Sequence, residues 1–139
     1  MVTPATLANP DRSDYGRILK LIPEGSRVLD LGCGDGSLLA RLQREKRVRG
    51  TGIDINPEND YPDQSYDIVV MNQTLQVTNR PLLVLQEALR VGKRVIVVFP
   101  NFAHWQVRLN FLLSGRMPRT PLLAFEWYNT PNIHLFSIR

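Results

Sequence analysis

Directly after the run Val28-Leu29-Asp30-Leu31, three glycines fall at alternate positions, Gly32, Gly34 and Gly36, and a leucine-rich stretch with helical spacing follows. The arrangement commits the chain to one local geometry, a short buried strand that turns sharply into a helix. Glycine tolerates backbone angles that a side chain forbids, and it lets a ligand approach the main chain closely. Amides exposed at the start of the helix favour a carboxylate or another anionic group. A purely structural turn is the competing reading. The G-x-G-x-G spacing differs from the G-x-G-x-x-G of dinucleotide sites, which points away from NAD.

Around this turn, apolar runs with strand character alternate with helical patterns. In residues 13–22, Tyr15, Ile18, Leu19 and Ile22 have helical spacing, Ser13 or Asp14 can cap the start, and Pro23-Glu24-Gly25 ends the helix. Strands are predicted at 27–31, 50–55, 66–71 and 94–99, and helices at 37–46, 81–90 and 102–114. Residues 132–139 have the character of a last strand. In the helix after Pro100, Trp105, Leu109, Leu112 and Leu113 form a stripe expected to pack into the core. Strands that alternate with helices build a parallel sheet covered on both faces. The expected fold is therefore α/β, a Rossmann-like doubly wound, mostly parallel sheet. The 139 residues, 43% of them hydrophobic, suffice for one core, so residues 1–12 are read as a tail and 13–139 as one domain.

No apolar run approaches the length of a membrane span, and residues 1–10 lack a basic region leading into an apolar one. A cytoplasmic chain without membrane contact is expected. The single cysteine, Cys33, supports neither an internal disulfide nor a metal cluster and is read as a small filler of the turn. The net charge of +4 owes much to Arg41, Arg44, Lys46, Arg47 and Arg49. Cations favour the negative end of a helix dipole, and no aromatic residues interleave with these to stack bases, so nucleic acid is not an expected partner.

Asp54 follows Gly32 by 22 residues and ends the second predicted strand, where a carboxylate can accept hydrogen bonds from both hydroxyls of a ribose. Asp30 either holds a ligand's amino group or braces the turn as a strand-end carboxylate. The two histidines, His104 and His134, invite an acid-base role, with packing or capping as the more ordinary one.

The stretch Asp30 to Gly36 resembles the first motif of class I S-adenosylmethionine-dependent methyltransferases. Later segments narrow the resemblance: Asn72-Gln73-Thr74-Leu75-Gln76, Phe99-Pro100-Asn101-Phe102-Ala103-His104-Trp105, Gly115-Arg116-Met117-Pro118 and Glu126 to His134 are similar to the MetW family. The resemblance implies binding of S-adenosylmethionine or S-adenosylhomocysteine through Asp30, Gly32, Gly34, Gly36, Asp54 and Asn72, with no metal. It further implies a role in methionine biosynthesis beside a homoserine O-acyltransferase of the MetX type, as an accessory subunit. A methyltransferase acting on a small molecule is the alternative. Met71-Asn72-Gln73-Thr74 lacks the Asn/Asp-Pro-Pro-aromatic arrangement of amino-methylating enzymes and has no Pro-Cys nucleophile.

Between Ile55 and Tyr66 only residues 56–65 are available, too few for the helix and strand that the family places there. That strand would normally bring an acidic contact to the adenine. The sheet is therefore expected to be shortened after the second strand, and again at the C-terminus.

Overall fold

The computed structural model describes residues 13–53, 61–117, 123, 125, 126 and 128–138. Helix α1 (Ser13–Leu21) buries Tyr15, Ile18 and Leu19 along one face and stops ahead of Pro23. Strand β1 (Arg27–Leu31) leads through the glycine turn into α2 (Ser37–Lys46), whose first amide is held by the Asp35 carboxylate, with Ser37 N donating to Oδ1 at 3.0 Å. Strand β2 (Arg49–Ile53) follows, then β3 (Tyr66–Asn72), a single 3-10 turn (Leu75–Val77) and α3 (Pro81–Val91). Proline at the first position of α3 gives up an amide that has no helical partner there. Strand β4 (Gly92–Val98) and α4 (Trp105–Ser114) complete the order of elements.

All strand pairs are parallel, in the order β2-β1-β3-β4. Alternation along the strands divides the core in two. Val28, Ile68, Val70, Ile96 and Val98 face α1 and α2, whereas Leu29, Val69, Met71, Val95 and Val97 face α3. The strands are thus apolar on both sides, the pattern of a sheet covered by helices on both faces. Ile68 is wholly buried, and cutting such a side chain back to alanine costs about 2–5 kcal/mol. At the opposite end from the glycine turn, Asp67 ties three strands together. It accepts from Arg27 N at 2.9 Å and from Lys93 Nζ at 2.9 Å.

The expected α/β doubly wound fold is the observed one, with three local differences. Helix α4 starts at Trp105, because Asn101 first closes a turn: its Oδ1 accepts from Ala103 N at 3.0 Å and its carbonyl from His104 N at 3.1 Å. The stripe Trp105, Leu109, Leu112 and Leu113 does not enter the core. Trp105 is 63% and Leu112 80% exposed, and α4 buries no residue. Residues 132–138 run without a ladder partner, so the last strand does not form there. Its amides go elsewhere: Ile133 N and His134 N both donate to the Gln76 carbonyl, at 3.0 and 3.1 Å.

Candidate functional site

The carboxyl ends of β1 and β3 carry two polar side chains, Asp30 and Asn72. At the end of β1 the backbone doubles back on β2, with Gly32 N and Cys33 N donating to the Ile53 carbonyl at 2.8 and 3.3 Å. Gly32, Gly34 and Gly36 all have positive φ, as the glycine spacing requires. Gly32 is crowded, whereas Gly34 and Gly36 face open space. A Cβ on Gly32 would lie 2.5 Å from the Thr74 side chain, so glycine admits Thr74 against the turn. Around Gly34 a Cβ would meet nothing within 4 Å, which leaves room for a ligand over the turn. Cys33 fills the space above β2, its Sγ 2.9 Å from where a Cβ on Gly52 would stand.

Asp30 and Asn72 alternate with residues facing α3 and therefore belong to the α1/α2 side of the sheet. Asp30 is 2% exposed, and burial pushes its carboxyl up to about 6. Among the described residues no hydrogen bond reaches that carboxylate, so a bracing role in the turn is not what the geometry displays. Asn72 Oδ1 is closed to solvent and lacks a partner. On α1, Asp14 Oδ2 is in the same condition, while Tyr15 OH and Ser37 Oγ are bonded at 2.9 Å, joining α1 to the start of α2. Buried acceptors without donors are the complement of a cationic amine.

On the α3 side a largely apolar cavity of about 540 Å³ opens beside the ends of β1 and β2, lined by Leu31, Ile53, Tyr61, Val77 and Asn79 among others. Its volume is within the range of small-ligand sites. Asp54, expected at the ribose, lies outside the described residues, directly after the last described residue of β2.

The two histidines are not brought together. His134 Nε2 bonds the Thr78 carbonyl at 2.9 Å and its ring stacks on Phe136, whereas His104 is exposed beside Trp105. His134 thus fixes the C-terminal stretch onto the turn that follows β3. Among the described residues no group of three His, Cys, Asp or Glu side chains could hold a metal, and no helix is long and apolar enough to cross a membrane. Of the basic residues in and just after α2, Arg41 pairs with Glu45 at 2.9 Å and Arg47 with Glu24 at 3.5 Å. Sequence reasoning missed Thr74 and the Tyr15–Ser37 bond. The signal for Thr74 was its place two residues beyond the end of β3. Nothing in the spacing announced that Tyr15 reaches Ser37.

Comparison with known proteins places this geometry. The family model described as "Methionine biosynthesis protein MetW" matches residues 12–59 and 57–139. The "Bifunctional methionine biosynthesis protein MetXA/MetW" of Rhodopirellula baltica is 38% identical over 149 residues, covering 86% of this chain and 24% of the relative. The chain thus spans about a quarter of that relative's length. The aligned length exceeds the 139 residues of this chain, and the family match breaks at residues 57–59, so the shortening lies after β2. Among solved structures, a SAM-dependent methyltransferase from Archaeoglobus fulgidus aligns with TM-score 0.57 and 22% identity, over 78% of this chain and 61% of the other. Another, from Thermotoga maritima, aligns with TM-score 0.55 and 23% identity, over 70% and 55%. Both likenesses are of fold.

Proposed function

That the chain belongs to the MetW family of methionine biosynthesis proteins is the premise from which we propose its function: it binds S-adenosylmethionine or S-adenosylhomocysteine and acts beside a homoserine O-acyltransferase of the MetX type. The observation that carries the ligand is the glycine turn. Open space over Gly34 and acceptors without donors at Asp30 and Asn72 suit the cationic amine of an amino-acid ligand. Gly32 and Gly36, both with positive φ, shape the turn beneath that space. Asp54 takes the ribose hydroxyls, and the cavity beside Ile53 and Tyr61 takes the adenine. S-adenosylmethionine would supply an activated methyl group when bound; S-adenosylhomocysteine, its demethylated form, would supply none. This chain's residues bind and orient either one.

The acyltransferase partner is supported by the Rhodopirellula relative, whose name joins MetXA and MetW in one protein. Calorimetry with S-adenosylhomocysteine tests the first half of the proposal, and co-purification with a MetX-type acyltransferase tests the second. Absence of binding at millimolar ligand would remove the adenosyl reading. A methylated product formed from labelled S-adenosylmethionine, and lost with Gly34→Val, would favour a methyltransferase over an accessory subunit.

A further inference from the structure

Helix α4 leaves its apolar side chains uncovered, with Phe111 and Leu113 exposed as well as Trp105 and Leu112. Single apolar residues on a surface are ordinary, but a contiguous patch marks a place where something binds. Here the residues are contiguous. Phe102, Trp105, Leu109, Leu112, Met117 and Leu135 line one groove of about 750 Å³. Leu135 also links this groove to the ligand cavity, because its neighbour His134 bonds the Thr78 carbonyl and Thr78 lines that cavity.

Charge decides among the possible occupants. From Trp105 to Met117 the sequence contains Arg108 and Arg116 but no Asp or Glu, and both arginines are exposed. Arg108 stands in the groove itself. Among the described residues neither arginine belongs to an ion pair. A second copy in a two-fold contact would set the patch against itself, with cations on both sides and no carboxylate between them. A bilayer would accept the charge, but lipid suits the outer face of a helix lying on it, and this surface is concave. A partner helix with an apolar face bordered by carboxylates satisfies the groove and the arginines together.

We infer that this groove is the docking site of the homoserine O-acyltransferase, which enters it with an apolar helix face bordered by Asp or Glu. The inference rests on the acyltransferase reading above and adds to it the surface used and the charge of the surface that meets it. Amide hydrogen exchange of the full chain, alone and with a MetX-type acyltransferase, is the first measurement, and slower exchange across residues 105–117 is expected in the complex. A Leu109→Ser/Leu112→Ser variant should melt with the wild type, since both side chains are exposed, and should weaken the complex by about tenfold or more. Arg108→Glu should weaken it as well and reduce its sensitivity to salt. If the wild type binds the acyltransferase while exchange at 105–117 is unchanged and both variants bind as tightly, the inference is overturned and the acyltransferase reading stands. If the wild type does not bind the acyltransferase at all, that reading fails and the inference falls with it. A wild-type dimer that the leucine pair dissociates, or binding to phosphatidylserine vesicles that the leucine pair abolishes, overturns it in favour of a second copy or a membrane. Should the leucine pair not fold, exchange in the wild type and Arg108→Glu still decide.

Discussion

Asp30 concentrates the electrostatics of the site in one carboxyl. Its folded value of about 6 lies above the ordinary 3.8 because burial disfavours the charge. Between those two values the unfolded chain has released the proton and the folded chain retains it, so stability falls as pH rises across the window. The charged form then costs about 3 kcal/mol above pH 6. Asp30→Asn should therefore raise the melting temperature of the free protein at pH 7.5, and its advantage should vanish near pH 4 in thermal unfolding followed by circular dichroism. A cationic ligand amine reverses the penalty, so the wild type should bind S-adenosylhomocysteine more tightly at pH 7 than at pH 5, with proton release visible by calorimetry in buffers of different ionisation heat. Asp54→Ala is expected to weaken the same ligand by about 1–3 kcal/mol, the loss of charge-assisted hydrogen bonds. Equal affinity of wild type and variant would refute the ribose role. Gly34→Val combines a strained backbone at φ +54° with a branched side chain in the open space over the turn, and should reduce binding below detection in the same titration.

At the level of elements, the strands and helices were legible because each apolar run is bounded by a residue with a physical reason to end it, Pro23 and Gly25 before β1 and Gly36 before α2. The alternation that sets Asp30 on one face and Leu29 and Leu31 on the other was equally legible. Helix α4 was not. Its apolar residues surround the axis, and a helix without a single apolar stripe gives periodicity no inward face to select. The extended stretch after Asn132 also escaped, because strand-like composition does not reveal whether a neighbouring strand is there to accept its amides. At the turn, the glycines with positive φ announced themselves by spacing, whereas the pairing of Gln73 with Gln76 depends on a left-handed residue that no pattern marks. Asp67 belongs to this scale as well. Its carboxyl is held well below the usual carboxylate range by the Arg27 amide and then Lys93, so the stabilisation it gives is present above its unfolded value and is lost as pH falls. Asp67→Asn should lower stability by about 1 kcal/mol at pH 7, and chemical denaturation at pH 7 and pH 3 should show the difference shrinking in acid.

For the whole molecule, control of a bound acyltransferase requires that the adenosyl ligand prefer one state of the complex, since a ligand with equal affinity for both shifts nothing. The exposed apolar residues of α4 and the stretch that His134 anchors on the turn after β3 are where such a preference would reach a partner. Titrating S-adenosylmethionine into the reconstituted pair should change acyltransferase rate and complex affinity together. If neither moves at saturating ligand, with binding to this chain confirmed, the sensing role fails. The strand order β2-β1-β3-β4 has a further consequence, in the time domain of synthesis. Each strand after β1 joins an outer edge of the growing sheet, and none has to insert between two that are already paired. A nascent chain that has emerged through Ile53 already holds β1, the glycine turn, α2 and β2, so this half of the sheet can assemble on the ribosome while β3 and β4 are still being made. Until β3 arrives, however, the other edge of β1 stands open, and that interval is when the chain is most exposed to pairing with the wrong strand.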